Sequence, residues 1–292
     1  MRYQAANPAV KRTRNGRPRL ALISFWAKHV PPLRAASANV SRMKRYATHQ
    51  PILATTAAGV IVKIGSTSEF SVTETTPYVV LKSNAIELAT LFSVHGLDVT
   101  KSPTLSLLID DTMTLSDNLL CNRGQEMSYA QVFSALQLRR IAEAVLLDTS
   151  MPDLRRLLTE LLDGSLDLLS RDQSKAKDTL WELELLRVLT ENGVAAKVGE
   201  PDLIATVAGP SIGIACKKLY SDKNFSKVLS QAIGQIEKTF EYGIVAINID
   251  DMLPPNSILK APDIERMLTL LAEIVHEFMA KHERHLRHYL AP

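Results

Sequence analysis

The chain has 292 residues, 46% of them hydrophobic and 22% charged, with a net charge of +3. This is the composition of a folded globular protein of one or two domains with room for a sizeable core. Its two cysteines, Cys121 and Cys216, lie far apart without CxxC spacing, which argues against a disulfide scaffold or a zinc cluster and fits a reducing cytoplasm. No apolar run reaches the roughly 18 residues of a membrane span.

Charge is unevenly spread. Before Glu69 there is no Asp or Glu, while Lys and Arg recur from Lys11 to Lys63. Residues 1–50 read as a basic leader outside the folded part, with Met43 as an alternative start. A basic arm touching nucleic-acid phosphates and a transit peptide are the competing readings. Pro51 to Lys82 reads as β-rich, from the β-branched runs GVIVKIG and PYVVLK. Asn84 to Gly96 reads as a short helix with an Asn cap and a Gly stop, and Leu105 to Leu108 as a further strand. These make residues 51–125 a small α+β region. From Met127 the spacing turns helical, in SYAQVFSALQLRRIAEAVLL and then MPDLRRLLTELLDGSLDLLS.

The pattern is clearest after Ser174, in a core of residues 174–250. SKAKDTLWELELLRVLTENG is a helix stopped by Gly193, followed by three short strands, VAAKVG, DLIATVAG and IGIACKKLY. NFSKVLSQAIGQIEKTFEYG is a second helix, GIVAINID a fourth strand, and residues 258–285 a long helix broken near Pro262. The apolar GIVAINI implies a strand buried on both faces, hence an α/β fold with a central mixed sheet flanked by helices.

Within IGIACKKLY, alternation puts Lys217 on the face of Gly213 and Ala215, and Cys216 and Lys218 on the other. A hairpin at Gly209-Pro210 sets Asp202, on the preceding strand, about as far from the turn as Lys217. Their side chains are then expected to converge at one sheet end. On the helical wheel, Glu182 falls among Leu185, Leu186 and Leu189 and points toward the sheet. Lys218, at a strand end, is expected to reach solvent. Gln231 and Gln235 share one face of the following helix.

The α-β-β-β-α-β order, with Pro201-Asp202 on one strand and Lys217 on the next, resembles the PD-(D/E)xK nuclease superfamily over about residues 175–250. The resemblance implies a restriction-endonuclease-like core and a magnesium- or manganese-dependent endonuclease cutting DNA, with a role in restriction or defence. It implies Asp202 and Glu182 as metal ligands, with Glu200 as a further candidate, and Lys217 as the residue that orients water or stabilises phosphate. Hard carboxylate oxygens suit such metals. Gln231, Gln235, Lys218, Lys223 and Lys227 are candidate nucleic-acid contacts, and a homodimer is a possible assembly. The departure is Ala215, which stands where the family carries an acid two residues before the lysine. It leaves a second reading open, a degenerate nuclease fold that binds nucleic acid or a protein partner without cutting. An isolated Pro-Asp pair is a common turn, and a helix glutamate is more often solvated than catalytic, so the joint pattern carries the reading. No glycine-rich phosphate loop occurs, so a nucleotide cofactor is not expected. Cys216 reads as a small core residue, and the C-terminal histidines as a solvated helix, because HEFMAKH lacks HExxH spacing.

Overall fold

The computed structural model describes residues 19–25, 49–55, 61–68, 78–120, 128–206, 209–252 and 264–290. The strands are β1 (Arg19–Phe25), β2 (His49–Thr55), β3 (Ile61–Ser68), β4 (Ala195–Val198), β5 (Leu203–Thr206), β6 (Ser211–Lys218) and β7 (Tyr242–Asn248). The helices are α1 (Tyr78–Val94), α2 (Pro103–Leu120), α3 (Tyr129–Val145), α4 (Leu154–Leu161), α5 (Lys175–Glu191), α6 (Phe225–Glu237), α7 (Ile264–Lys281) and α8 (Glu283–Leu290). Two compact units result, one of residues 1–27, 77–257 and 275–292, the other of residues 28–76 and 258–274. Within the second unit β2 and β3 form an antiparallel hairpin, with a register irregularity between Ile52 and Leu53.

In the first unit a five-stranded mixed sheet runs in the order β1-β7-β6-β5-β4. β4, β5 and β6 are antiparallel neighbours, whereas β6, β7 and β1 run parallel. The expected order α-β-β-β-α-β from Ser174 is observed as α5-β4-β5-β6-α6-β7. The apolar run Val245–Ile247 is buried, as a central strand between two parallel neighbours requires.

Helix α5 is buried almost all round, and its sequence explains why. Leu180 and Leu183 join a cluster with α1 to α4, while Trp181, Leu185 and Leu186 pack on Leu203, Ile214 and Cys216 of the sheet. Two apolar stripes at helical spacing make it a layer between the helices and the sheet. Helix α6 carries one stripe, Phe225, Leu229, Ala232, Ile233 and Ile236, which covers β6 and β7 on the opposite face.

Several expectations fail for tertiary reasons. Tyr78–Lys82 of PYVVLK opens α1 rather than forming a strand, and Leu105–Leu108 lies inside α2. β-branched composition is overridden where Leu81, Ala85, Leu88 and Phe92 repeat at helical spacing into a core. These helices belong to the unit that holds the sheet, not to a region shared with the hairpin. Nor does the whole leader lie outside the fold. Arg19–Phe25 extends the sheet beside β7, with Arg19 opposite Tyr242 and Phe25 opposite Asn248. Residues 1–18 and 26–48 of the leader and Cys121 lie outside the described residues, while His49 and Gln50 open β2.

Helix α6 ends at Glu237, and Gly243 has a different place. It sits in β7, where an added Cβ would clash with the Ile236 side chain. Gly243→Ala is therefore expected to push α6 off the sheet and cost about 1–3 kcal/mol, read as a lower urea midpoint.

Candidate active site

The parallel strands β6 and β7 end together at Lys218 and Asn248. Open α/β sheets gather ligands at such carboxyl ends, because the strands diverge there and loops leave space. Pairing of β5 with β6 stops at Leu203 and Ile214. Carried one step further, the register sets Asp202 opposite Ala215. In place of a further backbone pair, the Cys216 N–H donates to Asp202 Oδ2 at 2.7 Å. Lys217 Nζ donates to the same oxygen at 2.9 Å. The expected convergence of Asp202 and Lys217 is thus present, two residues out of register: Lys217 lies beyond the position opposite Asp202 and reaches back to it.

Glu182, on α5, joins them electrostatically. Burial and then the Asp202 charge push its carboxyl up from an ordinary 4.5 to about 8, with Lys175 and Lys217 among the charges pulling it down. Burial likewise raises the Asp202 carboxyl, against the attraction of Lys217. The same two carboxylates, after burial, hold the Cys216 thiol well above its usual range. Cys216 is a buried, free cysteine, as its alternation with Lys217 suggested.

The remaining sequence candidates fall elsewhere. Glu200 is exposed, close enough for its charge to raise Asp202. Among the described residues no three His, Cys, Asp or Glu side chains gather as a metal cage, so Glu200 is not assembled with the other two. Glu182 and Asp202 remain as a pair of carboxylates. Both bonds to Asp202 fall on Oδ2, which leaves Oδ1 for a cation. Two carboxylates suit magnesium, which keeps several waters when bound, and a cation would relieve the repulsion that raises Glu182. Gln231 is exposed, whereas Gln235 is half-buried with Oε1 lacking a hydrogen-bond partner. Lys223 and Lys227 are exposed. Ala215 is fully buried in the α6 cluster, with no exposed surface.

Lys218 corrects its expectation outright. Its side chain is 8% exposed against 21% for Lys217, so the strand-end lysine is the more deeply buried of the two. It meets Asp251 Oδ2 at 3.1 Å and donates to Asn248 Oδ1 at 3.2 Å. The Asp251 contact is an ion pair without a well-aligned hydrogen bond, since Asp251 Oδ2 has no such partner. Lys218 therefore belongs to a buried polar cluster on the α5 side, which sequence reasoning missed.

In that cluster Arg140, on α3, forks onto buried Glu184 and reaches Asp250 Oδ2 at 3.4 Å. Burial opposes the Arg140 charge, but Glu184 and Asp250 outweigh it and raise its affinity for the proton. Lys177 is buried, donates to the Ser170 carbonyl at 2.9 Å, and shares the Tyr220 ring with Lys218 at 5.6 Å each. Burial lowers its amine, and Lys218 adds to the shift. The Tyr220 hydroxyl donates to Asp178 Oδ1 at 2.8 Å. Charges in WELELL and NIDD were the available signal: apolar neighbours on both sides demand ionic partners for charges buried among them.

Glu182 and Glu184 thus do different work. Glu182→Gln is expected to abolish metal-dependent cleavage while leaving the urea midpoint in EDTA near that of the parent below about pH 4.5, where the Glu182 carboxyl is protonated. Glu184→Gln strips a buried partner from Arg140 and should cost about 3 kcal/mol. Equal losses of activity at equal stability would remove Glu182 from the site.

The pH dependence has a definite sign. The folded chain holds the Glu182 proton more tightly than the unfolded chain. Its contribution to stability is complete below about pH 4.5 and is lost as pH rises through about 8. Asp202 acts in the same direction. In EDTA the thermal midpoint is expected to fall across this range, and Glu182→Gln to flatten the fall. Parallel curves for parent and variant would contradict it.

No protein-family model matches this sequence, and neither characterised proteins nor solved structures show a significant similarity to it. Among the described residues no helix is long and apolar enough to cross a membrane. What the comparisons leave is a mixed α/β chain whose sheet, flanked by helices, brings a carboxylate, a lysine and a raised glutamate to one strand end.

Proposed function

We propose that this strand end is the active site of a metal-dependent nuclease that hydrolyses DNA phosphodiester bonds, in the manner of the PD-(D/E)xK superfamily. The observation that carries the reading is the bond from Lys217 Nζ to Asp202 Oδ2, beside Glu182, on strands in the resembling order. Glu182 and Asp202 would hold magnesium or manganese, which when bound supplies positive charge against the developing charge on the phosphate. The chain's own residues do the rest. The Cys216 amide and Lys217 fix the Asp202 carboxylate. The Lys217 amine, held at the surface of the site by that carboxylate, is placed to hydrogen-bond an attacking water or a phosphate oxygen. A fixed cation of this kind stabilises the transition state without reorganising.

A specific observation favours the second reading. Ala215 is packed wholly within the α6 cluster, so the position of the family's second acid has become core. In that reading the fold binds nucleic acid or a protein partner and cuts nothing. Purified chain incubated with plasmid DNA, linear DNA and RNA, each in magnesium, manganese or EDTA, separates the two. Cleavage in either metal that EDTA abolishes supports the nuclease. No cleavage, with no heat of magnesium or manganese binding by calorimetry, supports the degenerate module.

A further inference from the structure

Helix α6 packs against β6 and β7, and among the described residues no helix packs comparably on the same face of β4 and β5. A groove of about 430 Å³ lies there, lined by Ala195, Lys197, Ile204, Thr206, Ser211 and Phe240. It runs along the strands that carry the candidate site. Ile204 lies two residues after Asp202, which immediately precedes β5, and Gly213 lies four before Lys217 on the same face of β6. At about 3.3 Å of rise per residue, Ile204 is roughly 7 Å from Asp202 along the strand, about the step between neighbouring phosphates in an extended strand.

The groove has an aromatic wall because of a glycine. A Cβ on Gly213 would meet the Phe240 ring at 2.6 Å, so only glycine lets the ring lie against the sheet. Ala195, Thr206 and Ser211 keep the surroundings small, and exposed Lys197 supplies a cation on edge strand β4. A flat aromatic ring, small walls and one cation suit a stacked base next to a phosphate. The volume takes one base or two and has no room for a duplex.

We propose that this groove binds an unpaired nucleic-acid strand and feeds it to the Asp202–Lys217 end, so that single-stranded segments are the preferred substrate. The proposal rests on the nuclease reading for the feeding step, while the binding step stands apart from it.

The test is fluorescence anisotropy on the full chain in EDTA, with a labelled single strand of about 12 nucleotides, inside the usual site size, and its duplex. The single strand is expected to bind about tenfold tighter than the duplex. Phe240→Ala should weaken single-strand binding about tenfold and Phe240→Trp should restore it, as loss and return of one stacking platform predict. Because Phe240→Ala also unpacks Gly213, Thr206→Trp is the second variant. It fills the groove from an exposed strand end and should weaken the single strand by a similar factor with an unchanged melting temperature.

Equal affinity for strand and duplex overturns the proposal, as does unchanged binding in Thr206→Trp. A dimer seen by sedimentation that Thr206→Trp dissociates would also overturn it, by assigning the face to a second copy. Strand binding without cleavage in magnesium or manganese keeps the groove and ends the nuclease reading. Cleavage by a Thr206→Trp chain that binds strands like the parent does the reverse.

Discussion

Lys217→Met is expected to reduce single-turnover cleavage of plasmid DNA in manganese by about 100-fold or more, the scale of a lost electrostatic contact in a transition state. Methionine keeps the length and apolar bulk of lysine, so the fold should survive. The geometry supports that separation. The Lys217 amine is partly exposed, and its bond is to Asp202 at the open strand end. Removing it leaves Asp202 with the Cys216 amide and access to water. Far-ultraviolet circular dichroism and the urea midpoint should therefore stay near the parent's. A Lys217→Met chain that cuts as fast as the parent would end the catalytic reading and leave the degenerate module.

Lys218→Met is expected to do the opposite, destabilising the chain by about 3–5 kcal/mol. The amine and Asp251 are each 8% exposed. Removing one charge leaves the other buried without a partner, and Asn248 Oδ1 loses a donor. Nearby Lys177 acts on Asp251 through its charge but donates to Ser170, and Tyr220 donates to Asp178, so neither replaces the close ion pair. Urea denaturation reads the loss directly. Pairing Lys218→Met with Asp251→Leu should recover most of it, because an apolar pair replaces a buried ion pair at little cost. A Lys218→Met chain as stable as the parent, or a double variant no better than the single, would show that the ion pair contributes little.

The contrast between these neighbours shows which parts of the molecule are legible in its sequence. Local periodicity was enough for the core. The leucines of WELELL, the stripe of NFSKVLSQAIGQIE and the apolar GIVAINI place α5, α6 and β7 correctly, because 3.6- and 2-residue repeats report burial directly. Alternation together with the hairpin at Gly209-Pro210 put Lys217 near Asp202, and alternation put Cys216 in the core. Alternation failed for Lys218. It placed the side chain on the right face, but only the packing of α3, α5 and the Asn248–Asp251 turn over that face decides that the face is closed. The same limit explains PYVVLK, where β-branched residues suggest a strand and the helical spacing of Leu81, Ala85 and Leu88 against distant helices prevails. It explains Arg19–Phe25 as well: an edge strand earns its place from pairing with β7, more than two hundred residues away, and no local pattern encodes a partner at that distance. By itself, then, the sequence determined the helix and strand types of the core and the shared face of the candidate residues, because both are short-range properties. The tertiary structure alone decided which charges are buried, which carboxylates crowd one another, and which half of the sheet stays open, because each depends on what other elements cover.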